Sequence, residues 1–91
     1  MRAATTASFR RCLKGLTDER LIQVNAAMQS AAQAYGHPHL HAGIGLRRFG
    51  KHMECRDARD NRLLFKRNGD TLLFVYYGTH DELLAFKKNR H

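Results

Sequence analysis

Two arginines and one histidine in the second half of this chain have the types and spacing needed to act on a phosphate group. Arg56 and Arg62 are six residues apart, and His80 follows Arg62 by eighteen residues. A guanidinium group is always charged and binds phosphate oxygens with two parallel hydrogen bonds, whereas a histidine gains and loses a proton near neutral pH. Cleavage of an RNA phosphodiester without a metal ion requires this combination of fixed cations and a proton donor.

Strand alternation predicts how these side chains meet. Cys55 lies between Glu54 and Arg56, so Glu54 and Arg56 share one face of a strand if Cys55 faces the core. Arg62 begins the next strand pattern and would join them from the neighbouring strand. Two simpler interpretations stay open. In the first, Glu54 and Arg56 form a solvated cross-strand pair. In the second, His80 is a histidine at a helix start without a chemical role.

The charge of the chain also indicates an anionic partner. The net charge is +8, from 16 lysines and arginines against 8 aspartates and glutamates. A small domain this basic usually binds a polyanion or an acidic protein. The cations crowd into the middle third, which favours a binding face over general solubility. Those expected to contact substrate are Arg47, Arg48, Lys51, Arg59 and Lys66.

Length and composition limit the possible classes. The 91 residues suffice for a single domain, residues 1–91, with one modest core. Hydrophobic residues make up 43%, so the chain is expected to fold. Cys12 and Cys55 match neither a zinc-binding pair nor a disulfide scaffold and are expected to be small core side chains. The sequence before Arg10 has no continuous apolar run, which predicts no signal peptide, no membrane span and a cytoplasmic protein.

Three alternating histidines, His37, His39 and His41, raise the possibility of a metal site in what is expected to be a loop. No acidic or cysteine ligand lies close in sequence, and Pro38 interrupts the run. We therefore predict no metal and interpret the segment as a loop that contacts phosphate or substrate.

Helical patterns come first and strand patterns second. A short helix with Thr6 or Ser8 as N-cap precedes a longer one that begins after Thr17. The run 71–77 is the most hydrophobic in the chain and is expected to be a central strand. The predicted fold is α+β: an N-terminal helical hairpin packed on a three- to four-stranded antiparallel twisted sheet, with a short C-terminal helix that begins at Thr79.

From the first helix to the last, the sequence resembles the RelE/ParE superfamily of bacterial toxins, most specifically over residues 54–84. Within that superfamily it is most similar to the messenger-RNA-cleaving members RelE, YoeB, YafQ and HigB. The run Asn-Arg-Leu-Leu-Phe-Lys at 61–66 is similar to their arginine-bearing strand, with Arg62 at the catalytic arginine. Arg56 has the spacing of the second active-site arginine of YoeB. His80 matches the C-terminal catalytic histidine of YoeB, in a Gly-Thr-His run that is similar to those of YafQ and HigB.

Two departures from the family pattern leave the general base open. Glu54 stands near the position of a lysine pair in RelE, and Asp81 stands where YoeB has an aromatic residue. The candidates for the base are therefore Glu54 and His41. His41 lies roughly where YafQ has an additional active-site histidine.

The resemblance implies the toxin of a type II toxin–antitoxin system. Such a toxin is a ribosome-dependent endoribonuclease that cuts messenger RNA, needs no cofactor, and is neutralised by a cognate acidic antitoxin. Arg56 and Arg62 would bind the scissile phosphate, and His80 would protonate the leaving oxygen. The alternative is a toxin of the ParE branch, which shares the fold and inhibits DNA gyrase without catalysis. A plain RNA-binding module is a third interpretation, for which no recognised signature is present.

Overall fold

The computed structural model describes residues 1–57 and 60–88, and these residues form one five-stranded sheet with helices on both faces. The strands are β1 (Arg2–Thr5), β2 (Arg47–Phe49), β3 (His52–Arg56), β4 (Asn61–Asn68) and β5 (Thr71–Thr79). The helices are α1 (Ala7–Cys12), α2 (Asp18–Ala34), α3 (His41–Ile44) and α4 (His80–Lys88), with a 3-10 helix at Pro38–Leu40.

The sheet has the strand order β1-β5-β4-β3-β2. The α+β class is confirmed, and the run 71–77 lies inside the sheet as expected. The prediction of three or four antiparallel strands is wrong, because β1 adds a fifth strand that pairs in parallel with β5 from Arg2 to Thr5. β1 is short and alanine-rich, and it lacks the apolar alternation that identifies a strand in a sequence. Backbone hydrogen bonding to β5 determines its conformation.

The two N-terminal helices begin where local capping predicts. The hydroxyl oxygens of Thr6 and Thr17 accept hydrogen bonds from the backbone N–H groups of Phe9 and Arg20, at 3.1 and 3.2 Å. The expected helical hairpin is not formed. α1 lies chiefly against β5, whereas α2 lies against β1, β3 and α3, so each helix meets the sheet separately.

Two apolar clusters, one on each face of the sheet, hold these elements together. The larger one lies beneath α1 and α2, around Phe9, Phe65 and Phe74. The smaller one joins Leu64 and Val75 to α4. These buried contacts supply the main stabilisation of the fold.

Both cysteines belong to the larger cluster, Cys55 fully buried and Cys12 at its margin, which confirms their expected place. Burial, with smaller contributions from Asp57 and Glu54, raises the pKa of Cys55 to about 12. Its thiol is therefore protonated and unreactive at physiological pH.

The segment between α2 and β2 is more ordered than the sequence suggested. The expected loop contains the 3-10 helix and α3, which ends at Ile44. Pro38 occupies the first turn of the 3-10 helix, where its missing N–H has no partner to lose. No helix in the described part of the chain, residues 1–57 and 60–88, is long and apolar enough to span a membrane.

Candidate active site

The two arginines expected to bind phosphate are brought together by the hairpin of β3 and β4. Arg56 lies directly opposite Arg62 in the antiparallel register, so both side chains leave the same face of the sheet. Such opposed residues have Cβ atoms roughly 5 Å apart. Like charges at this position destabilise a sheet, and an anion bound between them would offset the repulsion. The arrangement is therefore well suited to a phosphate.

His80 lies at the end of the neighbouring strand, on the same side as Arg62. Gly78 of β5 pairs with Arg62, and His80 begins α4 two residues later. The ring of His80 meets the ring of Phe49 edge-on, with centroids 5.8 Å apart, which limits how the imidazole can turn. Arg62 and His80 both line an open cleft of about 370 Å³. Its other walls are Asp60, Thr79 and Asp81.

Two nitrogens at this cleft have unused hydrogen-bonding capacity. Nε of Arg62 and Nδ1 of His80 are buried, and neither has a hydrogen-bond partner within residues 1–57 and 60–88. Buried polar atoms in folded proteins nearly always have partners, because leaving one unsatisfied costs about 1–3 kcal/mol. The exceptions are often at functional sites. Arg62 and His80 together thus have the character of a ligand site.

A second, smaller cleft of about 200 Å³ lies on the other side of Arg62, where His41, Arg47 and Arg56 line it. Arg56 crosses Gly45, and a Cβ atom at Gly45 would lie 2.5 Å from Nε of Arg56. Gly45 also has a φ of +63°, which other residues rarely adopt. A glycine here thus lets α3 end while Arg56 packs across it. Arg62 lines both clefts, so the two are adjacent.

The half-buried ring of His41 has a defined tautomer in its neutral form. Nε2 of His41 lies 3.0 Å from the backbone oxygen of Ala34. A carbonyl oxygen only accepts hydrogen bonds, so Nε2 must carry the hydrogen. The lone pair of the neutral ring is then on Nδ1, which makes His41 able to accept a proton at that atom.

Glu54 is on the same strand face as Arg56, as expected, but it is completely buried. Its Oε1 accepts a hydrogen bond from Nε of Arg47 at 2.5 Å, across the β2–β3 pair, and its Oε2 is buried without a partner among the described residues. The interpretation of Glu54 and Arg56 as a solvated pair is wrong, because Glu54 stands opposite the fully buried Leu64. A buried carboxylate needs a paired cation, which Arg47 supplies.

The three alternating histidines do not point the same way, because their segment is helical and not extended. His37 and His39 are exposed with rings 6.1 Å apart, while His41 turns to Ala34. Within the described residues, no group of three histidine, cysteine, aspartate or glutamate side chains is placed to hold a metal ion.

Three other cations expected to bind substrate, Arg48, Lys51 and Lys66, are not part of these clefts. They line a separate cleft of about 550 Å³, whose walls are Tyr35, Arg48, Lys51, His52, Met53, Lys66 and Arg67. Arg48 pairs with Met53, which packs on the larger cluster, so this cleft opens toward the α2 side of the sheet. Arg59 lies outside the described residues. Arg47 is thus the one expected substrate contact, besides His41, that the described structure places beside Arg56.

A polar network behind the clefts was not predicted. It joins Arg20 to Asp57 and Tyr77, which places buried polar groups directly behind the arginine pair. The available signal was an aspartate immediately after Arg56 in an otherwise cationic stretch. The ring of Tyr77 is buried, and Tyr76 stacks on Phe86 with centroids 4.4 Å apart.

Comparisons with known proteins identify the fold. No family model and no curated protein matches the chain. Among solved structures, YafQ from E. coli superposes with a TM-score of 0.66 at 18% identity, over 91% of this chain and 98% of that one. A chain of the RelB–RelE antitoxin–toxin complex from Methanococcus jannaschii gives 0.63 at 12%, over 91% and 96%. A copper-bound mutant toxin from Helicobacter pylori gives 0.62 at 21%, over 91% and 98%. The chain therefore has the RelE-like fold that the sequence resemblance implied.

Proposed function

We propose that this chain is the toxin of a type II toxin–antitoxin system and that it cleaves messenger RNA on the ribosome without a metal ion. The observation that carries the proposal is the opposed pair of Arg56 and Arg62 beside His80, on a fold shared with RelE and YafQ. The buried nitrogens of Arg62 and His80 that have no partner within the described residues support it, since buried polar atoms left unsatisfied are often at functional sites.

The proposed reaction is an internal transfer of the phosphoryl group. The 2′-hydroxyl oxygen of the RNA forms a new bond to the adjacent phosphorus, and the bond from phosphorus to the 5′-oxygen breaks. His80 donates a proton to the departing 5′-oxygen. Arg56 and Arg62 hold the non-bridging oxygens and stabilise the negative charge that builds up there. The products are a 2′,3′-cyclic phosphate and a free 5′-hydroxyl group.

For the general base, the geometry favours His41 over Glu54. Glu54 has no exposed surface, and one of its oxygens is bound to Arg47, so it would have to leave its place to touch a substrate. His41 lines the cleft that contains Arg56 and Arg62, and its neutral form has a free lone pair on Nδ1. We therefore assign removal of the 2′-hydroxyl proton to His41. Glu54 then orients Arg47 at the edge of the same cleft.

The cation-rich cleft on the α2 side is proposed to bind RNA away from the bond that is cut. Arg48, Lys51 and Lys66 line it together with Arg67, and among the described residues no aspartate or glutamate lines it. Tyr35 has the guanidinium of Arg67 6.0 Å from its ring centre, so the cleft offers both charge and an aromatic surface. Contacts of this kind give affinity without sequence preference and weaken as salt rises. Arg59, which lies outside the described residues, is also proposed to contact RNA.

The antitoxin is proposed to be an acidic protein. The net charge of +8 accelerates association with such a partner, and exposed charge pairs of this kind are screened by salt. The complex from which one structural relative comes is a RelB–RelE pair, which supports an antitoxin partner here.

Expression of the chain alone in E. coli is expected to arrest growth and to deplete intact messenger RNA within minutes. The matched control is a pair of histidine variants, because His80→Ala should abolish both effects while His37→Ala, at an exposed position, should keep them. Messenger RNA is followed by northern blots and DNA integrity by pulsed-field gels. Growth arrest with intact message and double-strand DNA breaks would support the gyrase-inhibiting alternative. Unaffected growth despite expression of folded protein would contradict the toxin assignment altogether.

A further inference from the structure

The hydroxyl group of Tyr77 is the centre of a buried hydrogen-bond network. Nη2 of Arg20 donates to the Tyr77 oxygen at 2.5 Å and to Oδ2 of Asp57 at 2.7 Å. The Tyr77 hydroxyl donates to the same Asp57 oxygen at 2.8 Å, and Nδ2 of Asn61 donates to the Tyr77 oxygen at 3.0 Å. Helix α2, the β3–β4 connection and β5 are thus joined at one point.

The members of this network are sequence neighbours of the groups proposed to bind the scissile phosphate. Asp57 directly follows Arg56, and Asn61 directly precedes Arg62. The backbone N–H of Asp57 also donates to the carbonyl oxygen of Asn61 at 2.9 Å. Because successive strand residues point to opposite faces, the network holds one face of the hairpin while the arginines leave the other.

The network also reaches the strand that leads to His80. Tyr77 precedes His80 by three residues, and Asn61 pairs with Thr79, the residue just before His80. A shift of Tyr77 would therefore move Asn61 and the start of α4 together. The backbone positions of Arg56, Arg62 and His80 therefore all depend on the hydrogen bonds of the Tyr77 hydroxyl group.

The burial of the network makes it rigid. The Asp57 side chain is only 3% exposed and that of Arg20 26%, so water competes little for their bond. Burial and the hydrogen bond to Asp57 raise the pKa of Tyr77, and its hydroxyl remains a donor at physiological pH. Buried networks in which each member is satisfied favour a single geometry.

We infer that Arg20, Asp57 and Tyr77 are positioning residues that fix Arg56 and Arg62 at the spacing needed to hold a phosphodiester. They do not touch the substrate, since they lie behind the face from which the arginines emerge. The predicted effect on RNA cleavage rests on the proposed function, whereas the predicted effect on the arginine geometry does not.

The first test compares Tyr77→Phe with Tyr76→Phe, two variants that each lose one hydroxyl from the same strand. The Tyr76 hydroxyl makes no hydrogen bond within the described residues, so that variant is the matched control. In single-turnover cleavage of ribosome-bound message, Tyr77→Phe should lower the maximal rate about 10–100-fold, because small misplacements of catalytic groups are costly. The concentration of ribosome-bound message that gives half the maximal rate should change much less. Tyr76→Phe should behave as wild type in both quantities. Cleavage by Tyr77→Phe at the wild-type rate, well below its melting temperature, would overturn the inference.

A second measurement is independent of catalysis. The side-chain Nε–Hε NMR signals of Arg56 and Arg62, assigned with single lysine variants, report the geometry of each guanidinium. Tyr77→Phe should shift or broaden both signals, and Tyr76→Phe should not. If Tyr77→Phe does not fold, Arg20→Gln replaces it, because glutamine suits the helical position of Arg20 and removes its ion pair with Asp57. Unchanged signals in the folded variant would overturn the positioning role. If the wild-type protein cleaves no RNA while Tyr77→Phe shows the shifts, only the proposed function is refuted.

Discussion

His80→Ala is expected to lower the rate of RNA cleavage by about 10²–10⁴-fold, the usual cost of losing a proton-transfer partner. The fold should survive, because the side-chain contact of His80 that the structure shows is the edge-on packing against Phe49. The rate is measured under single-turnover conditions on ribosome-bound message, with His37→Ala as the control. A melting curve and antitoxin binding, both expected to be unchanged, separate loss of catalysis from loss of structure.

The assigned role of His80 is testable with a modified substrate. RNA whose 5′-bridging oxygen at the cleaved bond is replaced by sulfur has a leaving group that departs without protonation. His80→Ala should cleave this RNA at nearly the wild-type rate, whereas a variant that lacks the phosphate-binding Arg62 should not be rescued. A His80→Ala protein that remains equally slow on both substrates would show that His80 is not the general acid.

Arg62→Ala is expected to lose about 10²–10³-fold in rate, as when one preorganised donor to a developing negative charge is removed. RNA affinity should fall as well, because Arg62 lines both clefts. Arg62→Lys should restore little of the rate, since a lysine keeps the charge but cannot form two parallel bonds to phosphate.

The thermal stability of the protein should respond to Arg62→Ala in the opposite direction to its activity. Arg62 directly opposes Arg56, and removal of one of two like charges relieves repulsion across the ladder. The melting temperature is therefore expected to stay the same or to rise while the activity is lost. The control is Arg2→Ala, since Arg2 is exposed and far along the sheet from the site, and this variant should leave the rate unchanged. A fall in melting temperature with normal cleavage would mean that Arg62 is a structural residue.

The parts of the site that depend on local pattern were predictable from sequence. Alternation along a strand correctly placed Cys55 in the core and Arg56 on the opposite face, across from Arg62. The N-terminal caps of the helices were predictable as well, because they too depend on residues that are close in sequence. Thr79 and Glu82, which have the Thr-x-x-Glu spacing of a capping box, form reciprocal hydrogen bonds at the start of α4, at 2.8 and 3.2 Å.

The parts that depend on tertiary contacts were not predictable. Nothing in the sequence around Glu54 indicates that its face is covered there, so its burial and its pairing with Arg47 appear only in the folded chain. The same is true of Arg20, which contacts Asp57 across 37 residues of sequence. Composition marked the middle third as cationic but does not resolve which side of the sheet each cation occupies.

The measurement that tests the central claim most directly uses RNA that lacks the proposed nucleophile. A ribosome-bound message is prepared with a single 2′-deoxynucleotide on the 5′ side of the bond that the protein cuts, and an otherwise identical all-ribose message is the control. The account predicts that the control is cut to a 2′,3′-cyclic phosphate and a 5′-hydroxyl end, and that the deoxy substitution abolishes cleavage at that bond. Cleavage of the deoxy-substituted bond at the control rate would contradict attack by the 2′-hydroxyl, and with it the roles proposed for His41 and His80.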